Sequence, residues 1–159
     1  MRNEMKLTFA GRKILLDNAA IDFRNFSGAP DDFNRNGERK FTVLIYDEEI
    51  ANALINEGAN VKWKEAKERW ELEVKVSYKF FEPAVYLVSG RTRKKLNENN
   101  IGMLDRIDIE DVSMDITLGK EWSVAGKTAR TAYLDKIKVV QEINRFEAEF
   151  AEEEYPEED

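Results

Sequence analysis

Between Trp70 and Tyr78 the chain alternates with a period of two. Trp70, Leu72, Val74, Val76 and Tyr78 fall on one face, and Glu71, Glu73, Lys75 and Ser77 on the other. A strand with one buried and one wet side requires this pattern, so the run commits the chain to β-structure with a defined inner face. Arg39–Tyr46 alternates in the same way, with Phe41, Val43 and Ile45 on one side. Val61–Lys64 and Pro83–Ser89 read as shorter strands, Pro83 standing at a strand start where proline is tolerated. Ile107–Leu118 changes phase: Ile107 and Ile109 alternate in odd register, then Val112, Met114, Ile116 and Leu118 in even register. A β-bulge near Glu110-Asp111 keeps both sets on the core side. Thr128–Val140 changes register between Leu134 and Ile137.

The connections are equally informative. Residues 1–12 have no clear pattern and read as a flexible end. Lys13–Arg24 reads as extended chain around an Asp17-Asn18 turn. Residues 26–37 form a loop rich in Gly, Asn, Asp and Pro, and Asn36-Gly37 favours positive φ on the way into a strand. Asp47-Glu48-Glu49 places acid in the first turn of a helix, where the macrodipole favours it, and Gly58 is a C-terminal stop. Glu65–Arg69 reads as a polar hairpin connection, and Arg91–Asn100 as a loop or single helical turn. Gly119-Lys120-Glu121 and Ala125-Gly126-Lys127 read as turns, and Glu142–Ala151 as a short helix. Curving, bulged strands with one internal helix predict a mainly β, OB-fold-like Greek-key barrel, with a short C-terminal helix. A β-sandwich is the alternative.

The 159 residues suit one domain with a real core. The 25 basic and 32 acidic side chains give a net charge of −7, but eight of the acidic ones lie in residues 147–159, which hold no Lys or Arg. Residues 1–146 are therefore near neutral, and the expected organisation is a domain over 1–146 with a disordered acidic tail over 147–159. With neither Cys nor His in the sequence, disulfides, thiolate chemistry, imidazole bases and the usual zinc ligands are excluded. The expectation is a protein that is not an enzyme and uses no cofactor. With no membrane-spanning run and no signal-like start, it is expected in the cytoplasm.

Two stretches interleave aromatic rings with cations, and a third is purely cationic; single-stranded nucleic acid needs both chemistries, rings for base stacking and cations for phosphate contact. The first holds Arg24, Phe26, Phe33, Arg35, Arg39 and Lys40. The second holds Lys62, Trp63 and Lys64. The third is Arg91, Arg93, Lys94 and Lys95, the densest run of positive charge. Against a stacking role, Phe23 and Phe41 read equally well as core, Phe26 and Phe33 as pins for the loop, and Trp70 as core. Asp105, Asp108, Glu110, Asp111 and Asp115 are a seed for Mg²⁺ chemistry, although the plain reading is a solvated strand face.

Taken in order, Phe23–Gly28, Phe33–Phe41, Asn60–Trp63, Val74–Lys79 and Trp122–Thr128 resemble phage-encoded single-stranded DNA-binding proteins of OB-fold type. The likeness spans about residues 12–142. It implies sequence-tolerant binding and protection of single-stranded DNA in phage replication or recombination, in the host cytoplasm, without catalysis. It also implies an acidic tail that docks replication or recombination partners, here Glu152, Glu153, Glu154, Tyr155, Glu157, Glu158 and Asp159. The tail would alternatively occupy the cationic groove when DNA is absent. On this reading the stacking platforms are Phe26, Phe33, Trp63 and Tyr78, and homodimerisation stays open. The alternatives are a β-rich phage structural or assembly protein, or a Mg²⁺-dependent nuclease built on Asp105–Asp115.

Overall fold

The computed structural model describes residues 4–32 and 34–143. Ten strands form one sheet: β1 (Lys6–Ala10), β2 (Lys13–Asp17), β3 (Ala20–Asn25), β4 (Arg39–Ile45), β5 (Val61–Lys64), β6 (Arg69–Val76), β7 (Ala84–Ser89), β8 (Thr92–Leu96), β9 (Ile109–Val124) and β10 (Lys127–Gln141). One helix, α1 (Glu48–Asn56), joins β4 to β5. The main path runs β1-β2-β9-β10-β6-β4-β3. Strands β2 and β3 are two halves of one bent segment, broken at Asn18 with φ 55°. Ala19 N–H donates to Val112 O at 2.9 Å, continuing the β2–β9 pairing to the start of β3. The path therefore returns to where it began, as a partly open Greek-key barrel in which β6 and β10 are parallel.

The alternation drives this closure. Phe41, Val43 and Ile45 from β4, Leu72, Val74 and Val76 from β6, and Met114, Ile116 and Leu118 from β9 all point inward and are buried. Bulges keep the apolar sets inside while the long strands curve. Val140 faces Asp111 and Gln141 faces Ile109, which leaves Glu110 as the extra residue, where the phase change in the sequence requires one. On β10, Asp135 is extra between Leu134 and Lys136.

Helix α1 begins as its sequence demands. Asp47 is the N-cap and accepts from Glu49 N–H at 2.8 Å, and Ile50, Ala51 and Leu54 form the buried stripe. No basic residue stands in its last turn. Arg130 serves instead, donating to Glu57 O at 3.3 Å and also to Gly119 O at 2.8 Å and Leu118 O at 3.1 Å. The bulge between Arg130 and Ala132 interrupts the ladder beside those last two carbonyls, and the guanidinium fills the gap.

Four expectations give way. Residues 6–10 are no flexible end but pair with β2 in a hairpin turned at Gly11, φ 62°. Residues 92–96 are an edge strand paired with β7, and a short 3₁₀ turn, Ile101–Asp105, buries Ile101 and Leu104. Gly119–Glu121 lies inside β9 rather than in a turn: a Cβ on Gly119 would stand 2.9 Å from the Tyr133 ring, so the glycine is there to seat an aromatic side chain. Phe23 is not core. A bulge sets Phe23 and Arg24 opposite a single residue of β4, with Phe23 at φ 51° and 61% exposed. Glu142 and Ile143 are irregular. The rest of the expected terminal helix, the 146/147 boundary and the acidic tail lie outside the described residues.

Phe26, a proposed stacking platform in the sequence, is fully buried and stacks on Phe41 at 5.0 Å. Phe26→Ala is expected to lower folding stability by about 3–5 kcal/mol in urea unfolding, the cost of emptying a large core site. A loss below about 1 kcal/mol would mean that the ring is not core.

Candidate nucleic-acid interface

The register of the sheet lines up one row of outward side chains. Asn25 faces Lys40, Lys40 faces Lys75, Lys75 faces Tyr133, and Tyr133 faces Thr117. These belong to five neighbouring strands, so the row spans about 20 Å at the usual spacing between strands. Lys40 lies 3.7 Å from Glu73 and Lys75 lies 3.1 Å from Glu38. Both are surface pairs of small intrinsic worth, which an arriving phosphate can displace.

The connection from β6 to β7, residues 77–83, overhangs this row. Its Phe80 and Phe81, with Thr117, Trp122, Thr131, Tyr133 and Asp135, line a concavity of about 470 Å³. A second concavity of about 660 Å³ adjoins it through Ser77, Phe80 and Tyr133, and adds Arg39, Lys75, Tyr78 and Lys79. Phe80 is 90% exposed, and Phe81 is also exposed. An apolar ring held in water beside cations is the arrangement that stacks a base. Trp122 is fixed by its indole N–H, which donates to Thr131 Oγ1 at 3.1 Å. The Thr117 hydroxyl donates to the Asp135 carboxylate.

The residues singled out in the sequence fall into several groups. Arg39 and Tyr78 are in the groove, with the Arg39 guanidinium 5.5 Å from the centre of the Tyr78 ring. Arg39 also donates to Phe26 O at 2.7 Å, so it clamps the 26–37 loop. Lys40 is in the row. Lys62 and Lys64 point outward from β5 beside Glu71 and Glu73. Trp63 is 48% exposed and packs at 4.5 Å, tilted, on its cross-strand partner Trp70. Arg35 is exposed on the loop.

Two members of the first group are structural. Arg24 donates to Leu104 O at 2.7 Å and Ile107 O at 2.8 Å, where it satisfies carbonyls at the end of the 3₁₀ turn. Phe26 is core, as above. Phe33 is outside the described residues.

The basic run is divided by strand alternation. Arg93 and Lys95 share the outer face with Tyr86, Lys94 points to the opposite side, and Arg91 is in the turn. Asp105 accepts from Phe26 N–H at 2.7 Å and Ser27 N–H at 3.1 Å, so it holds the loop. Among the described residues no three acidic side chains converge as metal ligands would.

Sequence reasoning missed Phe80, Phe81, Trp122 and Tyr133 as a set. They are far apart in the chain, and only the register brings them together. The run Tyr78-Lys79-Phe80-Phe81, two exposed rings beside a lysine, carried the local signal.

The fold and groove define an OB-type binding domain with paired cationic and aromatic surfaces. The chain belongs to the family described as "Putative phage ssDNA-binding domain", whose model matches residues 6–159. No curated protein matches it. Among solved structures, the single-stranded DNA-binding protein from bacteriophage Enc34 is similar in fold. The match has a TM-score of 0.53 at 13% identity and covers 91% of this chain and 93% of that one. The same protein in complex with single-stranded DNA gives a TM-score of 0.55 at 14% identity, covering 86% and 90%. No helix among the described residues is long and apolar enough to cross a membrane.

Burial raises the Tyr78 phenol above its ordinary value of 10.0, against the pull of the Arg39 guanidinium. Its hydroxyl is buried and has no hydrogen-bond partner among the described residues. An unfolded tyrosine ionises near pH 10 while the folded one holds its proton higher. This stability is therefore complete below about pH 10 and falls as pH rises above it. Tyr78→Phe keeps the ring under Arg39 and removes the orphan hydroxyl. It is expected to raise stability by about 1 kcal/mol and to reduce alkaline sensitivity, measured by urea unfolding at about pH 8 and pH 10.5. A loss of stability would show that the hydroxyl is satisfied.

Proposed function

We propose that the chain binds single-stranded DNA across the outer face of the barrel, with little base preference, and protects it during phage replication or recombination in the host cytoplasm. Phosphates meet Lys40, Lys75 and Lys79, and bases stack on Phe80, Phe81 and Tyr133. Lys62 and Lys64 extend the surface at the β5 edge, Trp63 lies on the opposite face of that edge against Trp70, and Arg35 borders the surface from the loop. No catalytic step belongs to this reading. The acidic residues Glu152–Asp159 supply either a docking handle for replication or recombination proteins or a substitute polyanion for the empty groove.

The observation that carries the proposal is the Phe80 ring, 90% exposed above a row of lysines and Tyr133. Phe80→Ala is expected to weaken binding to poly-dT by about 1–3 kcal/mol, measured by quenching of tryptophan fluorescence, without moving the melting temperature. In the unaltered protein, log K should fall against log salt with a slope of about −0.7 for each phosphate neutralised. Unchanged affinity in the variant together with a flat salt response would remove the groove from DNA binding and favour a purely structural role in the phage.

Phe23 adds a second observation. A bulky residue in the left-handed region costs about 1 kcal/mol and persists where something repays it. Its ring is exposed, two residues before Asn25, which ends the Lys40–Lys75 row. Phe23→Gly is expected to keep or raise stability, by up to about 1 kcal/mol, while lowering poly-dT affinity at least about fivefold. Calorimetry and a parallel binding titration test both arms. An affinity equal to that of the parent would assign Phe23 no part in binding.

A further inference from the structure

A second cationic surface lies on the same outer side of β10, beyond the groove. Ile137 and Val139 are buried, so Lys136 and Lys138 point outward and are exposed. Lys136 faces Ala84 and Lys138 faces Tyr86 on β7, and Tyr86 in turn faces Lys95 on β8. The Tyr86 ring is flanked by Arg93, whose guanidinium carbon is 4.9 Å from its centre, and by Lys136, whose ammonium is 5.9 Å away. Four cations from two strands, β8 and β10, thus surround one half-buried ring on β7. Among the described residues none of the four is in an ion pair, although Lys40 and Lys75 of the groove both are.

Asp115 faces Lys136 from β9, but four cations against one carboxylate leave a net positive surface suited to a polyanion. The Asp135 bulge keeps Tyr133, Lys136 and Lys138 all on the outer side. From Tyr133 to Lys138 the strand advances about 16 Å. That distance is too great for one nucleotide and well within the reach of a continuous strand.

We propose that the Tyr86 patch is a second, separate contact for the sugar-phosphate backbone, so that one single strand occupies first the aromatic groove and then this patch. The inference rests on the groove reading and adds to it a length requirement. The groove takes a short oligonucleotide alone, and the patch contributes only when the strand is long enough to reach it. OB-type domains cover about 4–16 nucleotides, which leaves room for both surfaces on one domain. Because the patch is rich in charge, its share of the affinity is the more salt-sensitive part.

The test compares oligo-dT of about 5 and about 16 nucleotides, the two ends of that range, on the full chain and on a variant carrying Arg93→Ala, Lys95→Ala, Lys136→Ala and Lys138→Ala. The four side chains are exposed, and circular dichroism confirms folding. The expected result is unchanged affinity for the short oligonucleotide, a loss of about tenfold or more for the long one, and a shallower salt slope for the long one alone. Replacing Lys136 and Lys138 by Arg instead should preserve long-strand affinity. Equal or tighter long-strand binding by the alanine variant overturns the proposal and leaves the patch to another polyanion, the chain's own acidic tail included. Failure of the groove reading looks different: Phe80→Ala would then leave short-strand binding untouched, whatever the patch variant does.

Discussion

Strand β10 has more partners than a strand has edges. One edge is filled along its length by β9. The other is divided: Ala132 and Tyr133 pair with β6, and Lys136 to Val140 pair with β7, both in parallel. Between these two segments the chain must leave the ladder, and residues 77–83 do so. They arch over the outer face because the inner one is packed solid. The backbone's need for hydrogen bonds thus places Phe80 and Phe81 above Tyr133. The same strand carries the bulges that let a long ladder curve into a barrel. Groove, overhang and patch all follow from the way one strand shares its edge.

Much of this was legible where a residue's role depends on its own strand. Phe41, Val43 and Ile45 announced an inner face, the Asp47 cap announced a helix, and the phase change before Val112 announced the bulge at Glu110. Roles set by a neighbour were not legible. Arg93, Lys94 and Lys95 look like a loop because an edge strand borrows its conformation from β7 and has little apolar pattern of its own. Gly119 looks like a turn because a sequence does not reveal that Tyr133 needs its missing Cβ. Phe26 looks like a stacking ring because loop composition does not say which rings turn inward, and Phe41 decides that. Cations beside aromatic residues can be picked out of the sequence. Their alignment into a row is a property of register between strands that are distant in sequence.

The charge distribution bears on how such a surface works. Residues 1–146 are almost neutral, so long-range attraction to a polyanion is weak and local arrangement carries the affinity. In the groove Lys40 and Lys75 already hold Glu73 and Glu38. An incoming phosphate exchanges one anion for another, and the gain in charge pairing is small. On the proposed reading, stacking then decides affinity there, and stacking tolerates any base. The Tyr86 patch reverses the balance: its cations are in no ion pair among the described residues, while its single ring is already flanked by Arg93 and Lys136. One strand crossing both surfaces would meet first a region that holds bases and then one that holds phosphates. Salt would loosen the second while leaving the first engaged, so the strand would peel from the patch before it left the groove.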